Sequence, residues 1–185
     1  MLLNKALNDD YCIFSLIGSH AGETKDAILE RKSRDILTTG NTFWVAKFGK
    51  DKIEQYRQIK GLKKGYLIML EPTKSGGAKD TKKSDPATLF SKDKIEWTNL
   101  DSRLSPITGN LGNGTSAFNI SKIEIVQDVE INLGDYQKIE NGEDVKFNQF
   151  CGTILAKKRE NSLVENKRKV AAIMQLEYPY CVWVK

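Results

Sequence analysis

One histidine and three cysteines leave this chain poorly supplied for metal or disulfide chemistry. Cys12, Cys151 and Cys181 are odd in number, widely spaced and set in or beside apolar runs. A disulfide framework needs more of them, and a zinc site needs close pairs. Three buried, reduced thiols are the expectation, since free cysteine behaves as a small apolar residue. No metal or cofactor motif is present. Long apolar runs are also lacking. Stretches such as Tyr66 to Leu70 fall far short of the ~20 residues that cross a bilayer. Behind Met1-Leu2-Leu3 come Asn4, Lys5, Asn8, Asp9 and Asp10, so no leader-length apolar segment forms. A soluble, cytoplasmic protein with no membrane partner is expected.

What remains is ample for a core. Hydrophobic residues make up 39% and charged residues 29% of 185, too apolar for a disordered chain and of a length that suits one domain. The formal net charge of +5 permits an anionic partner without demanding one.

Tyr11 to Ile17 reads as a strand apolar on both faces, and Gly18-Ser19-His20-Ala21-Gly22 breaks it. Thr24 is placed to cap a helix running to about Thr38, with Asp26 in its first turn and Gly40 at its end. Thr42 to Phe48 reads as a second buried strand. A short helix from about Asp51 to Ile59 follows, ending near Gly61, and Tyr66 to Leu70 forms a third strand. From Glu71 to about Lys94 the chain is irregular and lysine-rich, with Gly76-Gly77 and two prolines, as in a long loop.

Beyond Ser116 the alternation is clear. Ile123, Ile125, Val129 and Ile131 are expected on one face and Lys122, Glu124, Asp128 and Glu130 on the other, with Val126 and Gln127 irregular. A helix is predicted from Asp144 or Phe147 to Arg159, weakened by Gly152, and Ala171 to Val184 should return as one or two strands. The whole predicts a single α+β domain over 1–185. Its sheet would be mixed and largely antiparallel, or a partly open β-barrel, with two to three helices and the lysine-rich loop at about 71–94.

Three features invite chemistry. The turn Gly18, Ser19, His20, Gly22 and Thr24 joins a strand to a helix N-terminus, where backbone N–H groups and the helix dipole favour an anion. It matches no phosphate-loop signature and equally suits an ordinary βα turn. His20 titrates near neutrality, but no spacing supplies the nucleophile and orienting partner a catalytic base needs. Gly109 to Ser116 holds three glycines, yet Asn113-Gly114 is a favoured hairpin pair and no helix follows, so a turn is expected. The third feature is basic: Lys157, Lys158 and Arg159, then Lys167, Arg168 and Lys169, together with the loop lysines and Lys25, Arg31 and Arg34 of the first helix. Such runs are commonly solvated surface. If they meet on one face beside aromatics they suit nucleic acid.

A helix, a strand and then the Lys64-Gly65 turn into Tyr66-Leu67-Ile68 is slightly similar to the compact β-barrels of the PUA-like group. The likeness covers about a third of the chain and implies a barrel-like sheet and, as a partner, RNA or a modified base. Sequence alone leaves function open. One reading is a basic binding module for an anionic partner, above all nucleic acid. Another is an enzyme acting on a small phosphorylated or nucleotide-like ligand at the Gly18–Thr24 turn. A protein-interaction or structural role is the third.

Overall fold

The computed structural model describes residues 1–19, 23–45, 50–73, 115–147, 152–162 and 165–184. Helix α1 spans Leu2–Asn8, β1 Tyr11–Leu16, α2 Lys25–Thr39, β2 Thr42–Val45, α3 Lys50–Lys60 and β3 Gly65–Leu70. The 18-residue β4 spans Thr115–Asn132, and a single 3-10 turn, Leu133–Asp135, leads into β5, Tyr136–Lys138. Strands β6, Thr153–Lys158, and β7, Lys167–Val184, complete one seven-stranded sheet in the order β2-β4-β7-β3-β1-β6-β5. Among the described strands, only β1 and β3 pair in parallel; every other pairing is antiparallel. Over the described residues the architecture is α+β, with three helices and a mixed, mostly antiparallel sheet.

From Tyr11 to Leu70 the sequence reading holds closely, the predicted end of the second strand at residues 46–48 lying outside the described residues. Thr24 caps α2, its Oγ1 accepting from the Ala27 amide at 3.2 Å, and Gly40 ends the helix at φ 88°. A Cβ resists that left-handed conformation. Gly61 plays the same part after α3 at φ 58°. Strand β3 is buried along its whole length because α3 covers one face and α1 the other. One apolar cluster gathers Ile28 and Leu29 of α2 and Ile53 and Tyr56 of α3 over Ile13, Leu67 and Met174. A second gathers Leu2, Leu3 and Ala6 of α1 over Phe14, Ile68 and Ile173, with Ile131, Leu133 and Tyr136 closing round them. Cys12 and Cys181 are buried free thiols, and burial pushes the Cys12 thiol well up. Cys151 lies outside the described residues.

Strands of 18 residues would run ~60 Å if straight, longer than a domain of this size is wide. Both long strands therefore bend. Between Ile125 and Val129 β4 carries extra residues against β7, with Asp128 at φ 54°. Between Leu176 and Cys181 β7 carries extra residues in turn, with Tyr180 at φ 67°. The first bulge corrects the expected alternation. Ile123 packs with the α2–α3 cluster, whereas Val129 and Ile131 pack with the α1 cluster, and Ile125 is 45% exposed. Past the bulge, β4 curls far enough for one 3-10 turn to deliver the chain to β5, although β7, β3, β1 and β6 lie between them in the sheet order. The sheet is rolled but not closed, leaving β2 and β5 as its edges.

The helix predicted from Asp144 or Phe147 to Arg159 is absent from the described residues. Asp144 bridges Gln137, Val145 is buried, and Thr153–Lys158 is strand β6, antiparallel to β1. Gly152 at φ 151° cannot lie in a helix. The β-branched Thr153 and Ile154 then meet a strand edge that β1 leaves open. Helix α1 went unforeseen. Its buried residues are Leu2, Leu3 and Ala6, with Leu7 packed partly beside them, in a helix too short to register as a period. The lysine-rich loop beyond Thr73 and the Gly109–Gly114 stretch lie outside the described residues.

Candidate functional site

At the α2 start, Gly18 and Ser19 are described, while His20 and Gly22 lie outside the described residues. A Cβ at Gly18 would meet the Pro72 ring at 3.5 Å, ordinary contact, so sterics do not require glycine there. The Thr24 hydroxyl is engaged in capping. Glu23 receives both Nε and Nη2 of Arg31, at 3.0 and 2.8 Å, and this guanidinium holds its carboxyl below the usual range. With Asp26 in the first turn, the helix dipole is already met by the protein's own carboxylates. Lys25 is paired with Glu71.

Of the basic residues singled out in sequence, Lys25, Arg31 and Arg34 sit on α2, Lys157, Lys158 and Arg159 at the end of β6, and Lys167, Arg168 and Lys169 at the start of β7. Lys157 and Lys158 pair with Gln137 and Tyr136. The Lys158 ammonium donates to the Leu7 carbonyl at the end of α1. Arg159 donates to the Tyr136 carbonyl at 3.0 Å and to Asp144 Oδ1 at 2.6 Å. At the start of β7, Lys167 is paired with Glu165 at 2.6 Å and Lys169 is exposed. Arg168 donates to the Glu71 carbonyl at 2.8 Å and lies 5.9 Å from the centre of the Phe147 ring, within cation–π range. Arg159 and Arg168, nine residues apart in sequence, thus reach the same short segment from two strands.

That segment, 139–147, is tightly built. Lys138 N–H donates to the Glu143 carbonyl at 2.8 Å, and Gly142 N–H to the Lys138 carbonyl at 2.9 Å. Asn141 Oδ1 accepts the Glu143 amide at 3.0 Å. Gly142 supplies the positive φ of 72° that the turn requires, and buried Val145 anchors the return. The segment walls a cavity of about 220 Å³ lined by Lys52 of α3, Lys138 of β5, Glu140, Lys146, Phe147, Gly152 and Ile154. Gly152 lies beside the ring at φ 151°, a backbone conformation that L side chains rarely adopt.

No family model, curated protein or solved structure matches this chain. The site must therefore be read from its own chemistry.

Three lysines from separate elements line one recess beside Phe147, and Arg159 and Arg168 contact Asp144 and Phe147 of the segment that walls it. The partners of the lysines are side-chain carboxylates at the surface: Lys52 with Glu140 at 2.8 Å, Lys138 with Glu143 at 3.6 Å and Lys146 with Asp144 at 3.6 Å. Lys52 holds the Glu140 carboxyl below its usual range. Such surface pairs contribute only ~0–1 kcal/mol each. Three lysines and one carboxylate, Glu140, make up the charged lining of the recess. Among the described residues, no cluster of His, Cys, Asp and Glu could hold a metal, and no helix is long and apolar enough to cross a membrane. Sequence reasoning found Arg159 and Arg168 but missed Lys52, Lys138, Lys146 and Phe147. They are scattered singly, and only the fold makes them neighbours.

Proposed function

We propose that the chain is a binding module for an anionic partner, nucleic acid above all, and that its contact surface is the lysine-lined recess beside Phe147. One observation carries this reading: Lys52, Lys138 and Lys146 line a single cavity beside Phe147, and Arg159 and Arg168 contact the segment that walls it. Cations alone would suit any anion. Cations beside an aromatic suit a partner whose phosphates alternate with flat π-faces. The mild overall charge of +5 also fits attraction that is local rather than global.

The reading is tested by fluorescence anisotropy with mixed-sequence oligonucleotides across about 50 to 200 mM salt, where phosphate contacts reveal themselves as a steep loss of affinity. Binding at low salt that falls with a log–log slope of about −2 supports three lysine contacts to a single strand, each contributing ~0.7. Absence of association at the lowest salt would overturn it.

A further inference from the structure

Apart from the recess, we infer that α1 is a latch: it leaves the sheet as a unit while the sheet stays folded, uncovering the apolar face that holds Cys12, Phe14, Ile68 and Ile173. Its seven residues make a helix about 10 Å long, too short to be helical in water on its own. It is helical only while docked, and docking buries Leu2, Leu3 and Ala6, with Leu7 partly beside them. The rest of its hold is three polar ties, each from a different element. Glu124 of β4 accepts the Leu2 amide in the first turn, and Lys158 of β6 donates to the Leu7 carbonyl in the last. Lys60 of α3 pairs with the carboxylate of Asp9, the residue after the helix. A carboxylate at the N-terminal end and ammonium groups at the C-terminal end match the helix dipole.

The clasp is weaker than the base it closes on. Strand β1, which follows α1 after Asp9 and Asp10, is paired with β3 on one side and β6 on the other. Asp9 is extended, at φ −79° and ψ 137°, so these two residues form the hinge. Docking also leaves Glu124 Oε1 buried without a hydrogen-bond partner. Water hydrates that atom once α1 lifts, so the closed state carries a penalty that the open one lacks. Helices α2 and α3 are tied in from their buried sides: the Lys32 ammonium donates to the Phe43 carbonyl at 2.6 Å, and Tyr56 Oη accepts the Tyr66 amide at 3.2 Å. Beneath α1, Cys12 is fully buried. Burial first, then the Asp9 charge, push its thiol up, opposed by Lys158 and Lys60. The groups that clasp the helix are thus the ones that surround this thiol, and its accessibility reports whether the latch is shut.

The test is maleimide labelling in native buffer, with the Cys12 peptide followed by mass spectrometry and global unfolding followed by circular dichroism. In urea below the unfolding transition the Cys12 rate should change little, because lifting one helix exposes far less surface than unfolding the chain. Asp9→Asn removes the partner of the Lys60 ammonium, which is 7% exposed, and should speed Cys12 labelling about fivefold or more. Thr24→Ala weakens α2, outside the latch, and should leave the Cys12 rate within twofold while global unfolding becomes easier. A Cys12 rate that climbs with urea as steeply as global unfolding, and rises with Thr24→Ala, overturns the latch, since α1 then opens only when the whole chain does. An Asp9→Asn rate equal to that of the unaltered protein overturns the clasp. The urea series on the unaltered protein decides the matter should Asp9→Asn fail to fold.

Discussion

Two regions of the described structure, the α2 start and the Phe147 recess, gather positive charge, and they differ in how that charge is already used. At the α2 start, the dipole, the Thr24 hydroxyl and the Arg31 guanidinium are engaged by the chain's own backbone and carboxylates. At the Phe147 recess the charges are held by exposed carboxylates on flexible side chains. A cap is part of what keeps a helix in place. A surface ion pair is an arrangement the protein can exchange. Positive potential alone therefore does not mark a site; what decides is how much structure must be given up to use it.

The comparison breaks most sharply under charge removal. Replacing Lys52, Lys138 and Lys146 together by Gln should cost at least tenfold in oligonucleotide affinity and flatten the salt slope by about 2, because three counterion-releasing contacts are gone. Circular dichroism and unfolding should change little, since all three pairs are at the surface. Thr24→Ala should do the reverse. Loss of the cap costs about 1 kcal/mol in denaturant unfolding and leaves binding within twofold.

Smaller effects sharpen the contrast. Glu140→Gln should raise affinity about two- to threefold, since it releases Lys52 from an internal competitor worth only ~0.5 kcal/mol. Glu23 supplies the pH test. Its pKa in the folded protein is lowered by the hydrogen bonds and charge of Arg31. The stability it contributes is thus complete above the usual glutamate value near 4.5 and lost as pH falls through its lower folded value. Glu23→Gln should soften the acid limb of a stability–pH curve below about pH 4.5 and leave the neutral region flat.

Much of the fold was legible because local signals and tertiary structure agree. Thr24 and Gly40 mark α2, and the apolar run from Gly65 to Leu70 marks a strand covered on both sides. Legibility failed where the partner mattered more than the pattern. Residues 153–158 look helical in composition but complete a ladder with β1, and Gly152 has a backbone no helix accepts. The β4 bulge moves Val129 to the face opposite Ile123, although both fall in one alternating series. The recess was the least legible feature. Lys52 and Lys138 are ordinary surface lysines in sequence, and their meeting depends on the roll that brings the segment after β5 against α3. Arg159 and Arg168 were visible as parts of charge runs, though the helix expected to carry Arg159 is a strand end.

The most direct test asks which of the two regions touches the anion. Backbone amide shifts of the 20.9 kDa chain should be followed by NMR during titration with a single-stranded oligonucleotide. The account predicts perturbations concentrated at residues 138–147 and 152–154 and around Lys52, with the amides of Thr24 to Ala27 unmoved. Shifts centred on Thr24 to Ala27, with residues 138–147 silent, would contradict it.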